Sequence, residues 1–78
     1  MPEIKIAEEL SGQHIGREIQ FPWKFPRSAV EANVWGELRE VHHDAGDEIV
    51  VWLASLSEDM GGEKSEFVVR RGTKVTVV

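Results

Sequence analysis

The stretch NVWGELREVHHDAGDEIVVWLA, residues 33–54, decides the fold. In its second half, Ile49, Val51 and Leu53 share one parity while Val50 and Trp52 share the other. Side chains of an extended chain alternate between two faces, so this half reads as a strand with an aliphatic inner face. The first half, residues 33–43, also reads as a strand, but its apolar positions change parity from Val34 and Leu38 to Val41. An extra residue near Arg39-Glu40, a bulge that bends the strand, would return both halves to one face. Between them, Asp44-Ala45-Gly46-Asp47 carries turn residues, and the whole predicts a hairpin with one bent arm.

Working outward, residues 14–21 place Ile15, Ile19 and Phe21 on one parity and predict a half-buried strand. Residues 22–32 contain Pro22 and Pro26 and predict a long connection, since proline cannot donate to a central ladder. Ser28 and Glu31, like Ser55 and Glu58, have the spacing of a capping box and allow one helical turn each. Residues 55–65 are acidic, contain Gly61-Gly62 and predict a surface loop. A short strand over 66–69, a tight turn at Arg70-Arg71-Gly72-Thr73 and a last strand over 74–78 complete the pattern. Residues 1–11 form an N-terminal arm in which Ile4 and Ile6 alternate as in a short strand. The expected fold is therefore all-β: one domain over residues 1–78, a small five-stranded antiparallel barrel with a long first loop, closed because closure removes unpaired edges.

Composition narrows the function classes. The chain has 78 residues, and a chain of this size buries only about 60% of its unfolded surface. It has no cysteine, which removes disulfides and thiolate metal sites. Hydrophobic residues at 41% and charged residues at 29% fit a folded domain. A formal net charge of -5 repels a phosphate backbone at long range. No apolar run reaches the roughly 18 residues of a membrane span. Glu3, Glu8 and Glu9 stand where a signal peptide needs positive charge and an apolar stretch, so a cytoplasmic location is expected.

The order of elements resembles the SH3-like and Sm-like small barrels, in which a bent central hairpin joins two sheets and a short 3₁₀ turn separates the last two strands. Residues 34–54 match that hairpin and Arg70-Arg71-Gly72-Thr73 that connector. The segments His14-Ile15-Gly16-Arg17-Glu18-Ile19 and Thr73-Lys74-Val75-Thr76-Val77 are also similar to small uncharacterised barrel proteins of actinobacterial phages and their hosts. The chain departs from the peptide-binding SH3 pattern in lacking its aromatic-rich first-loop motif. It also matches none of the nucleotide-pocket residues of RNA-binding Sm or Hfq proteins.

No residue pattern declares catalysis. Glu8-Glu9 and Glu58-Asp59 lie in segments expected to be exposed, without the burial that tunes a catalytic carboxylate, and no serine carries a triad signature. His14, His42, His43, Asp44 and Asp47 invite a metal hypothesis, but adjacent strand residues face opposite sides, so His42 and His43 do not converge on one ion. No cofactor or metal is expected. The aromatic residues say more. Trp35 and Trp52 lie on the parity opposite to the core aliphatics and are expected to face outward, where an apolar patch marks a contact surface unless the N-terminal arm or the 21–25 segment covers it. Trp23 and Phe25, between Pro22 and Pro26, form either a shelf for a peptide or a lid over one end of the barrel. Trp23, Phe25, Trp35 and Trp52 thus predict a non-enzymatic protein-interaction module whose partner is another protein or a second copy. The alternative is a nucleic-acid-binding Sm-like barrel using Arg70, Arg71 and Lys74 against phosphate.

Overall fold

The computed structural model describes residues 2–56 and 63–78. The chain is all-β, as expected, and builds one antiparallel sheet from β1 (Glu3–Ile6), β2 (Glu18–Lys24), β3 (Glu31–His43), β4 (Glu48–Ala54), β5 (Lys64–Arg70) and β6 (Lys74–Val77). The strand order is β1-β6-β2-β3-β4-β5. The described residues form six strands rather than five, because the Ile4/Ile6 alternation in the arm forms β1 on the edge of β6. The sheet is also not a closed barrel: among the described residues no ladder joins β5 back to β1 or β6.

The sheet nevertheless curls onto itself. β2 and β5 are three strands apart, about 14 Å in a flat sheet at the usual interstrand spacing. Yet the ring centroids of Phe21 in β2 and Phe67 in β5 are 5.8 Å apart, and those of Trp23 and Phe67 are 5.3 Å apart. The concave face created by this curl is the core, with Ile19, Leu38, Val51, Val75 and Val77 fully buried. Each such aliphatic contributes about 1.5–3 kcal/mol by leaving water.

The bulge forms where the parity change placed it. The β3–β4 register shifts between Leu38 and Glu40, so Leu38 opposes Leu53 and Val41 opposes Val51, all on the core side. Gly36 lets the end of β4 approach closely: a Cβ built there would lie 2.8 Å from the Ala54 carbonyl oxygen and 3.3 Å from the Leu53 Cβ.

The proline reading fails for a local reason. β2 runs through Pro22 and Trp23 to Lys24, so the first connection is only residues 25–30 rather than 22–32. The Phe25 N–H donates to the Val30 carbonyl, which fixes the alternation of the β2–β3 ladder: odd residues of β2 bond to β3 and even residues face the other way. Pro22 is an even residue, and β6 covers that side only at Ile19 and Gln20. Its missing N–H lies on a free edge and costs no ladder bond. In residues 25–30 the Ser28 Oγ accepts from the Val30 N–H, and the Ala29 N–H donates to the Phe25 carbonyl at 2.9 Å, so one i to i+4 turn forms across residues 25–29 and no helix follows it. The second capping pair, Ser55 and Glu58, and most of the 55–65 loop fall outside the described residues.

The strand expected over 14–21 starts only at Glu18. Gly12–His14 is instead a 3₁₀ turn in which the Ser11 N–H donates to His14 Nδ1 at 2.9 Å. Gly16, at φ 90, then takes a left-handed conformation that suits glycine and donates its N–H to the Leu38 carbonyl at 2.7 Å. Ala7, Leu10 and His14 are buried, so the arm contributes to the core as well as to the sheet.

The same arm clamps the β5–β6 turn. The Ala7 N–H donates to the Thr73 carbonyl at 2.8 Å, and the Gly72 N–H donates to Glu8 Oε1 at 2.7 Å. That backbone hydrogen bond, with help from the Arg71 charge, holds the Glu8 carboxyl below its ordinary value of 4.5. A carboxyl depressed in the folded state stabilises the fold above its unfolded pKa, and the effect is lost as pH falls through the folded value.

Two outcomes are expected. Gly36→Ala lowers unfolding free energy by about 1–3 kcal/mol in urea titrations, whereas Gly12→Ala, which meets no atom within 4 Å, changes it little. Glu8→Gln is less stable than wild type at neutral pH, and the two denaturation midpoints converge as pH is lowered below 4.5.

Candidate protein-interaction groove

The curl leaves a seam between the second half of β2 and the end of β5. At its inner end the seam is filled by Phe21, Trp23 and Phe67, with Phe67 meeting both neighbours edge to face at interplanar angles of 76° and 83°. At its outer end it opens into a groove of about 600 Å³, with Pro22, Trp23, Phe25 and Pro26 on one side and Val68 and Arg70 on the other. Phe25 is 49% exposed at its mouth. A smaller hollow of about 390 Å³ lies across the β2–β3 hairpin, against Pro22, Trp23 and residues 31–33.

Both walls carry unused backbone groups. The Arg71 N–H donates to the Asp47 carbonyl at 2.8 Å, continuing the β4–β5 register, so odd residues of β5 bond to β4. The N–H and C=O groups of Glu66 and Val68 and the N–H of Arg70 therefore point off the sheet, where β5 has no strand partner among the described residues, while the Arg70 carbonyl accepts from the Thr73 N–H at 3.2 Å. On the opposite wall Lys24 points off β2 in the same way. Seven residues of edge strand without proline or glycine form a template for another extended chain.

The sequence-predicted residues separate into three places. Trp23 and Phe25 come together in the groove. Trp23 acts as a lid over the core rather than a free shelf, while Phe25 stays open to water. Trp35 faces outward as expected, 62% exposed, in a cross-strand row with Gln20, Thr76 and Ile4. Trp52 is on the outward parity of β4 but half-buried, between Glu40 of β3 and Glu66 of β5. An ion pair between Lys64 and Glu40 spans β4 on that side. The expected covers are used elsewhere: in the arm β1 pairs with β6, and in the 21–25 segment Phe21 and Trp23 turn to the core.

The basic cluster is interleaved with acids. Arg70 stands opposite Glu48, Arg71 adjoins Glu8, and Lys74 lies beside Ile6 on β6. The histidines are also apart. His14 is buried in its 3₁₀ turn, His43 donates Nε2–H to the Leu10 carbonyl at 2.6 Å, and His42 faces Val50. Among the described residues no three His, Cys, Asp or Glu side chains gather as metal ligands. Among the same residues no helix is long and apolar enough to cross a membrane.

Sequence reasoning missed the facing wall. Phe67 and Val69 share the core parity and Val68 the other, a pattern legible in the sequence, but nothing local indicates that β5 curls back onto β2. Comparison with family models, with curated proteins and with solved structures found no match for this chain.

The exposures separate Trp35 from the half-buried Trp23 and Trp52. In variants keeping one tryptophan each, acrylamide is expected to quench Trp35 most strongly and Trp23, packed on Phe67, more weakly. Equal quenching of the two would contradict the placement of Trp35 on an uncovered face.

Proposed function

We propose that this chain is a non-enzymatic protein-interaction module, an SH3-like sheet curled but not closed, with an added N-terminal strand, whose groove takes an extended segment of a partner polypeptide. The β6-β2-β3-β4-β5 order, the bent β3–β4 hairpin and the tight turn before β6 support the SH3-like reading. The observation that carries the function is the groove itself. Aromatic and proline side chains face the unpaired backbone of Val68 and the unpaired N–H of Arg70 across a gap in the sheet. A strand entering there gains main-chain hydrogen bonds from β5, while its alternate side chains pack on Trp23 and Phe25. The Sm-like nucleic-acid reading finds less support, because Glu48 stands opposite Arg70 and Glu8 lies near Arg71, which weakens the positive field a phosphate would meet.

The test is selection of a random linear-peptide library on the purified protein. Enriched peptides are expected to alternate apolar residues and to bind with little dependence on salt. Val68→Pro removes an N–H that β4 does not use, and Phe25→Ser removes the mouth of the groove. Each is expected to weaken binding about tenfold or more without loss of the fold. Selected peptides indifferent to both substitutions would refute the groove. Binding of an oligonucleotide that falls steeply between about 50 and 200 mM salt would favour the alternative through Arg70, Arg71 and Lys74.

A further inference from the structure

The other free edge of the sheet, β1, is shaped for a single pairing register. The hydrogen bond from Ala7 to Thr73 and the β1–β6 register direct the backbone groups of Glu3 and Lys5 toward β6, and those of Ile4 and Ile6 away from it. On this outward side the Ile6 N–H is already taken by Glu9 Oε1 at 2.9 Å, and Pro2 has no N–H to offer. Ile4 is left with both N–H and C=O available. Its side chain is 66% exposed, the highest value among the large apolar side chains described.

The charges on the strand are self-complementary about the same residue. Glu3 and Lys5 flank Ile4 on one face, with Lys5 Nζ 3.6 Å from Glu3 Oε2 and Arg17 Nη2 3.6 Å from Glu3 Oε1. On the opposite face Ile4 begins the row that crosses Thr76 and Gln20 to Trp35.

We infer that β1 pairs with β1 of a second copy of this chain, antiparallel about a twofold axis at Ile4. In that register the two Ile4 residues exchange both backbone hydrogen bonds. Glu3 stands opposite Lys5 of the second copy, twice over, in the non-hydrogen-bonded pairs where side chains lie closest. A slip of two residues one way opposes Glu3 to Glu3 and calls on the donor Pro2 lacks. A slip the other way opposes Lys5 to Lys5 and calls on the Ile6 N–H that Glu9 occupies. The interface is isologous, so it closes at a dimer and does not propagate. It is apart from the groove and does not rest on a peptide binding there.

The absence of cysteine from the chain gives a clean test. Ile4→Cys places two thiols across the axis in a hydrogen-bonded pair, whose Cα separation of about 5.5 Å suits a disulfide. It is expected to cross-link under mild oxidation at concentrations where Val30→Cys, equally a surface position in the 25–30 loop, does not. Sedimentation of the cysteine-free protein is expected to show a reversible dimer. Lys5→Glu should weaken it about tenfold or more, and the swap Glu3→Lys with Lys5→Glu should restore it. A protein that stays monomeric at all concentrations, with equal cross-linking of the two cysteine variants, would overturn the inference. So would a dimer unmoved by Lys5→Glu, or one lost instead in Phe25→Ser or Val68→Pro, which would belong to the groove.

Discussion

Phe67 against Phe21 and Trp23 is the contact on which the rest of this molecule depends. Six strands with no covering helix among the described residues have one face to hide, and an antiparallel sheet of this size hides it only by bending until its distant strands meet. The aromatic trio joins β5 to β2 without a hydrogen-bonded ladder. Side-chain packing therefore performs at this seam what backbone pairing performs elsewhere. Everything buried beneath, from Ile19 to Val77, owes its exclusion from water to the bend that this contact completes.

The bend has an upstream cause in the backbone. The shifted register at Leu38 and Glu40 turns β3 so that its two halves serve different parts of the curve, and Gly36 lets β4 follow without collision. A β-bulge strengthens local twist and bends its strand. The same irregularity leaves the Leu38 backbone to pair with Gly16 and Arg17, which ties the segment entering β2 to the centre of the sheet. A seam closed by rings and not by a ladder then exposes main-chain groups along β5 and the latter half of β2. The structural economy of a small core and the availability of an edge are two aspects of one geometry.

How far the sequence could be read follows from the range of each interaction. The β3–β4 hairpin was legible because its information is local: period-two burial, a parity change and a turn between them. Pro22 misled because its effect depends on which side of β2 is covered, and that is decided by the length of β6, more than fifty residues away in the chain. The 3₁₀ turn at His14 was hidden because Ile15, which continues the apolar parity, is in fact exposed. Among the candidate site residues, the outward position of Trp35 followed from parity, and Trp23 with Phe25 from adjacency. The wall opposite them did not, since no local pattern encodes the curl that sets Val68 and Arg70 across from Phe25.

The pairing of β1 with β6 has a consequence for how the chain reaches this state. Glu3 lies beside Val77 and Ala7 binds Thr73, so the outermost ladder joins segments separated by nearly the whole described sequence. Contacts of such long span carry a large loop-closure cost and tend to form late in folding. During synthesis the N-terminal segment must wait unpaired until β6 has emerged. Glu8 and Glu9 directly follow Ile4 and Ile6, so the waiting segment carries charge next to its apolar residues, the arrangement of gatekeeper residues beside an unpaired strand.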